Sequence, residues 1–337
     1  MNAIELFKKY IALLDEIYKL ESKTNVLDGA NELVSQGANA NELIIPRISM
    51  DGLGDYSRNS GYVDGNVDFT FETVKCNFDR GRMFTVDVMD NIETMGMVFG
   101  KLSSEFVRTK VIPELDAFRM AKYASLSDIS TVDAANLSTG ADVVKALRAA
   151  TTKMNNDEVS EANRILFIET GLKGLVDDMD TTKSKEVLKR FGQIVEMPQN
   201  RFYTSIKQLT GEGEQKVGGY RRASAEYELS KDTAVVEGKS YYTKSGENYS
   251  VVKTPSGDPS ASSYYEMTKA PGSNINFMVV EKSAVIQFNK RVNSKIIEPD
   301  QNQDADAYKY GYRQVAIADA YENKRAGIYL HKSTVTE

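Results

Sequence analysis

The chain has 337 residues, 41% hydrophobic and 27% charged, enough to bury a core in one large domain or two smaller ones. Its 42 basic and 48 acidic residues give a formal net charge of −6, which excludes a general nucleic-acid binder built on dense phosphate neutralisation and leaves room only for local basic patches. One Cys and one His allow no intrachain disulfide, no multi-Cys or His-based metal site, and a single base for any Ser-His or Cys-His nucleophile.

That base, His331, lies in Tyr329-Leu330-His331-Lys332, which reads as a last strand and a frayed tail, a poor setting for a general base. Cys76 sits in an alternating apolar segment and reads as a small buried hydrophobe. There is no Walker A motif and no Gly-x-Ser-x-Gly elbow, and Gly211-Glu212-Gly213 is followed by Lys216 where a dinucleotide fingerprint needs glycine. The run Asp300 to Asp306 begins like a calcium loop, but Ala305 replaces the turn glycine and Gly311 the bidentate glutamate. Adjacent acids such as Asp177 and Asp178 read as a solvated face, while catalysis by carboxylates alone stays open. The expectation is a protein with no cofactor, no metal and no enzymatic activity.

Residues 2 to 22 place Ile4, Phe7, Ile11, Leu14 and Tyr18 at spacings of three and four, an amphipathic helix. Lys8 and Lys9 are followed by Asp15 and Glu16, so no signal-peptide core forms, and no run of about 18 apolar residues occurs anywhere. A cytoplasmic site of synthesis without a membrane partner is the resulting expectation. A polar stretch to Asn41 tethers the helix to the body, where it can dock on a neighbour or on its own domain.

Residues 43 to 88 read as extended: Leu43-Ile44-Ile45, a turn-rich Asp51 to Asn59, then Val67, Phe69 and Phe71 in period two, and a second alternating run at Phe84, Val86 and Val88. Such a two-stranded excursion is marginal alone in water and needs a surface to lie on. Asp90 or Asn91 caps a helix through Met95, Val98, Phe99, Leu102 and Phe106, which Pro113 kinks or restarts before Leu115, Phe118 and Tyr123. From residue 140 helices alternate with short buried strands such as Arg164 to Ile168, then 275–280 and 284–288, an α+β or α/β core closed by strands at 308–317 and 326–330. Between them, 225–270 gathers tyrosines with Ser, Thr, Gly and Pro and reads as an inserted module of short antiparallel strands, with Gly211 to Gly219 as its hinge and Pro271-Gly272 as its exit.

Several stretches, in order, resemble the major capsid proteins of tailed double-stranded-DNA phages of Gram-positive hosts: Gly52 to Arg58, Asp79 to Phe84, Val111 to Arg119, Arg201 to Thr204, Ile275 to Met278, Pro299 to Asp306 with Tyr312-Arg313, Tyr321 to Lys324, and Gly327 to His331. The resemblance implies an α+β, Hong Kong 97-type fold. In it, residues 1–42 are an N-terminal arm, 43–88 an extended loop lying on the next subunit, and 89–129 with 300–325 a peripheral domain with a long spine helix. Residues 130–224, 271–299 and 326–337 form an axial domain, and 225–270 an inserted Tyr-rich β module on the outer face.

It also implies a subunit that self-assembles as pentamers and hexamers into an icosahedral shell around packaged DNA, without sequence-specific binding, in a virion built in the host bacterial cytoplasm. Portal and head-completion proteins are the further expected partners. The short arm implies a separate scaffolding protein, and the absence of Lys between Pro46 and Val74 argues against covalent cross-linking through that loop. Asp79, Arg80, Arg82, Glu114, Asp116 and Arg119 are candidate charge pairs across subunits, with ordinary intrasubunit pairs as the alternative. The rival functional class is a glycan-binding decoration protein or adhesin, with the tyrosines of 225–270 stacking on sugars.

Overall fold

The computed structural model describes residues 21–29, 35–36, 42–56, 58–59, 61–89, 97–134, 137–179, 181–231, 239–252 and 264–333. The expected helix over 2–22 and the caps Asp90 and Asn91 lie almost wholly outside these residues. In chain order come β1 (Ser35–Gln36), β2 (Glu42–Met50), β3 (Val67–Lys75), β4 (Phe78–Asp87), α1 (Met97–Phe106), a π-helical turn at Val107–Val111 and α2 (Ile112–Ala124). Next are β5 (Ser130–Ala134), α3 (Gly140–Asn156), β6 (Arg164–Glu169), α4 (Thr170–Asp178), α5 (Thr182–Leu188), β7 (Gln193–Met197), β8 (Ile206–Gln208) and β9 (Tyr220–Arg222). The chain continues with β10 (Glu226–Leu229), β11 (Tyr241–Ser245), β12 (Asn248–Val252), β13 (Tyr265–Lys269), β14 (Ile275–Glu281), β15 (Val285–Ile297), β16 (Ala307–Ala320) and β17 (Ile328–Ser333). Contacts divide it into two units, 1–109 with 283–324, and 110–282 with 325–337.

The first unit is built on the antiparallel sheet β15-β16-β4. β15 runs to Ile297, well past the apolar stretch that announces it, because β16 pairs with it from Val285↔Ala320 to Ile297↔Lys309. Alternation puts Phe84 and Tyr312 on one face, where Phe106 of α1 meets them edge-on at 4.8 and 5.9 Å. Val74 at the end of β3 packs with Ile286 and Ile317. Asn77 bonds the backbone of Ala318 in both directions, at 2.6 and 3.2 Å, fixing the turn from β3 into β4. β4, expected in the excursion, is therefore part of this sheet. The segment 24–29 is tied to the same sheet: Gln287 Nε2 donates to the Thr24 carbonyl at 2.6 Å and to Asp28 Oδ1 at 2.8 Å, with Leu27 buried beside them.

The second unit centres on a five-stranded sheet, β5-β17-β14-β6-β7, in which β14 is antiparallel to both neighbours while the outer pairs β17/β5 and β6/β7 are parallel. Every residue of β14 is buried, which is why it reads as a continuous apolar run rather than an alternating one. Leu166, Ile168, Phe277 and Val279 meet Val143, Leu147, Ala150 and Met154, spaced four, three and four along α3. Burying each such side chain stabilises the fold by roughly 1.5–3 kcal/mol. Thr139 starts α3 by accepting the amide of Asp142 at 3.2 Å, and Thr181 does the same for α5 at Ser184. The Gly-rich segment expected as a hinge is instead the tip of the β8–β9 hairpin, closed by Leu209 N to the Gly219 carbonyl at 2.8 Å.

The tyrosine-rich segment forms a four-stranded antiparallel sheet in the order β10-β13-β11-β12. It lies in the second unit and leads through Pro271-Gly272 into β14.

Candidate functional site

No cluster of His, Cys, Asp and Glu able to hold a metal occurs among the described residues, and no described helix is long and apolar enough to cross a membrane. What stands out is a surface. β2 and β3 form a hairpin with unbroken register from Glu42↔Lys75 to Met50↔Val67. Because opposed residues share a face, Ile48, Met50, Val67, Phe69 and Phe71 all project from the same side. These side chains are 54 to 69% exposed. Ser49, Asp68 and Thr70 occupy the other side, so the hairpin is amphipathic, and among the described residues its apolar face is left uncovered.

Phe69 and Phe71 meet edge-on at 5.0 Å, which orders the rings without removing them from water. At the tip, Asp51 N donates to the Asn66 carbonyl and Asn66 N to Asp51 Oδ2 at 2.8 Å, and Tyr56 lies edge-on to Tyr62 at 4.9 Å. Leu53, Tyr56, Tyr62 and Val63 are exposed there as well. Contiguous apolar surface of this kind marks an interaction site. The period-two run Val67, Phe69, Phe71 is the signal that finds it in the sequence; the matching Ile48 and Met50 become visible only through the register.

The six charged candidates separate into two groups. Asp79 accepts a bidentate pair from Arg313, Nε to Oδ1 at 2.9 Å and Nη2 to Oδ2 at 2.6 Å, and these bonds hold its carboxyl below the usual range. Arg80 and Arg82, half-buried, lie on the opposite face of β4 from Asp79. Glu114, Asp116 and Arg119 depart from the expectation of facing a neighbour: all three are buried on α2, Asp116 and Arg119 completely.

Their surroundings are intrachain. Arg201 Nη1 lies 3.4 Å from Asp116 Oδ2, and Gln208 Nε2 donates to Glu114 Oε1 at 3.3 Å. Nearby Tyr220 donates to the Asn200 carbonyl at 3.0 Å, and burial pushes its hydroxyl up to about 12. Charge buried this deeply requires partners, and Glu114 and Asp116 find them within their own chain. The sequence-distant partners, more than 80 residues away, are what the local pattern could not reveal.

His331 is not in a frayed tail. It stands inside β17, buried, with its ring stacked 4.7 Å from Phe277 and Nδ1 3.1 Å from Asn276 Nδ2. Burial lowers its pKa, so the ring is held neutral in the core. The end of the chain expected as frayed, 334–337, lies outside the described residues.

The tyrosines of the four-stranded sheet are committed to one another. Tyr227 on edge strand β10 stacks on Tyr249 of the other edge strand β12, with ring centres 4.0 Å apart and planes 12° apart. In a flat sheet those strands would stand roughly 14 Å apart, so this sheet curves enough for side chains of its two edge strands to meet. Tyr242 and Tyr265 close edge-on against the stacked pair at 4.8 and 5.2 Å. These rings form a small core, and their stacking faces are used within the sheet.

No family model matches the chain, and no curated protein matches it. Among solved structures it is similar to a virus-like particle from Pyrococcus furiosus, with 8% identity, 97% of this chain and 99% of that chain covered, and a TM-score of 0.51. It also aligns with a chain of Mycobacterium phage Che8 at 10% identity, covering 87% and 85% with a TM-score of 0.49, and with the capsid of the cyanophage P-SCSP1u at 9% identity, covering 89% and 86% with a TM-score of 0.49. At 8% identity the likeness to the virus-like particle concerns the α+β fold alone.

Proposed function

We propose that this chain is a shell-building structural protein, the major capsid protein of a tailed double-stranded-DNA phage, with a Hong Kong 97-type subunit. The observation that carries the proposal is the β2–β3 hairpin, whose five apolar side chains on one face stand in water beside a well-packed sheet. Covering each of them would contribute roughly 1.5–3 kcal/mol, so a neighbour lying over the face gains several kcal/mol from one contact. Repeated copies supply that neighbour, and obligate interfaces of this kind commonly bury about 2,000–5,000 Å². The likeness in fold to a chain taken from a virus-like particle, which extends over nearly the whole of both chains, supports the same reading.

On this reading residues 1–42 are the N-terminal arm and 43–77 the extended loop, while β4, paired along its length with β16, joins the peripheral part. The peripheral part, 89–129 with 300–325, also takes in 283–299, since β15 is hydrogen-bonded along its length to β16. The axial part is then 130–224, 271–282 and 326–337, and 225–270 is an inserted module. The proposed partners are further copies arranged as pentamers and hexamers, scaffolding, portal and head-completion proteins, and packaged DNA held without sequence recognition. The role is non-enzymatic and its place is the virion, after assembly in the host cytoplasm.

Negative-stain microscopy of the full chain tests this. Capsomers or closed particles are the expected result; a wild-type protein that stays in small oligomers at every concentration overturns it.

A further inference from the structure

Among the described strands of the second unit, two pairs set like charges directly opposite each other. On β10 and β13, Glu228 faces Glu266. That pair is compensated within the chain, because Ser230 Oγ donates to Glu266 and Lys239 Nζ lies 2.8 Å from it. On β8 and β9, Lys207 faces Arg221. Directly opposed side chains have Cβ atoms about 5 Å apart, and like charges there destabilise the pair. Neither cation bonds a carboxylate among the described residues, and the acids of the same hairpin, Glu212 and Glu214, stand at its tip.

The other face of β8–β9 is committed to its own chain: Gln208 donates to Glu114, Tyr220 to the Asn200 carbonyl, and the Arg222 guanidinium to the Gly272 carbonyl. Alternation therefore turns Lys207 and Arg221 outward, with Arg221 exposed. A standing repulsion between two cations, in a chain of net charge −6, points to an anion brought from outside it. The turn between β15 and β16 has the complementary character. Residues 298–306 hold Glu298, Asp300, Asp304 and Asp306, all exposed, and no Lys or Arg. Lys309 bonds Asp304 at 2.6 Å, which leaves three carboxylates that bond no cation among the described residues. The turn is ordered on its own: Asn302 Nδ2 donates to the Ala307 carbonyl at 2.9 Å, and Gln301 N and Asn302 N to the Glu298 and Pro299 carbonyls, each at 3.0 Å. Preordered surfaces of opposite charge meet with little further loss of entropy.

We infer that the Lys207–Arg221 face of one copy receives the β15–β16 turn of a second copy, with Glu298, Asp300 and Asp306 supplying the carboxylates that the two cations lack. The inference rests on the reading of the chain as a shell subunit and names a contact separate from the apolar face of the β2–β3 hairpin.

Two charge-reversed variants of the full chain and their combination test it, with assembly followed by sedimentation and folding by thermal unfolding. Lys207→Glu with Arg221→Glu keeps like charges opposed inside the subunit, so the melting temperature is expected to hold at the wild-type value while the concentration needed for assembly rises at least tenfold. Asp300→Lys with Asp306→Lys is expected to do the same. All four changes together restore the complementarity with its sign inverted, and assembly is expected within about threefold of the wild-type concentration. Either reversed variant assembling as wild type does overturns the contact, and so does failure of the combination. A carbodiimide, which joins an amine to a carboxylate only in direct contact, gives a reading that needs no particle. In a mixture of isotope-labelled and unlabelled wild-type chains, Lys207 is expected to be joined to Glu298, Asp300 or Asp306 across the two labels, and absence of that link overturns the contact. If a variant does not fold, the cross-link decides alone. It also decides alone if the wild type forms no particles, a result that removes the shell reading; normal particles from both reversed variants leave that reading standing and sink only the contact.

Discussion

The hairpin of 42–75 and the curled sheet of 226–269 are both small antiparallel β structures rich in aromatic residues, yet they treat those residues in opposite ways. The curled sheet brings side chains of its two edge strands together, stacking Tyr227 on Tyr249, and has its own core. The hairpin, joined by a third strand only at its base, where the two-residue β1 pairs with Leu43 and Ile44, has nothing to curl around, and Phe69 and Phe71 meet each other while remaining more than half exposed. Aromatic content therefore says little about where a partner is needed. The number of strands available to cover a face says much more, and it points to the hairpin as the surface awaiting another chain, and away from the tyrosines as a sugar-binding platform.

The sharpest way to break this contrast is to remove the apolar face. Phe69→Ser with Phe71→Ser is expected to raise the concentration required for assembly by more than a hundredfold, since two aromatic burials of about 2 kcal/mol each are lost, with a melting temperature within about 2 °C of wild type. A large drop in melting temperature would mean that the face is covered within the subunit. The reverse pattern is expected for Tyr242→Ala, whose ring is 7% exposed in the curled sheet. Its cost is about 3–5 kcal/mol, read as faster amide exchange confined to 226–269, with assembly concentration unchanged. If that variant abolishes assembly while the sheet stays protected, the sheet is an assembly surface after all.

A smaller effect separates core from surface by pH. His331 is buried and its folded pKa lies below the ordinary 6.5, so on acidification the unfolded chain takes up the proton first. Stability is thus fully present above about pH 6.5 and falls as the pH drops from there through the folded value. His331→Phe, which keeps the ring stack on Phe277, is expected to flatten the melting temperature between about pH 7 and pH 5. An unchanged acid slope would assign it to other groups. The smallest expected change is at the start of α3: Thr139→Ala removes the cap on the Asp142 amide and costs about 1 kcal/mol by denaturant unfolding, leaving both β structures as they are.

Legibility in the sequence obeys the same physics. The strands at 164–169 and 275–281 are plain because both faces of their centres are buried, so Ile165 to Ile168 and Phe277 to Val280 are unbroken apolar runs. The hairpin is legible because one wet face and one apolar face leave a period-two trace. β15 beyond Phe288 is not, because Asn289 to Lys295 are ordered by pairing with β16 and not by their own apolarity. Glu114, Asp116 and Arg119 look like surface charges on any pattern, and only Arg201 and Gln208, folded back from far along the chain, place them inside.

The central claim is that neighbouring copies cover the hairpin's apolar face. Met50 reports on it directly, since it is 69% exposed on that face in the isolated chain. Peroxide oxidation of Met50, followed by mass spectrometry in dissociated subunits and in assembled particles, is expected to slow at least tenfold on assembly. Oxidation at the same rate in both would contradict the claim.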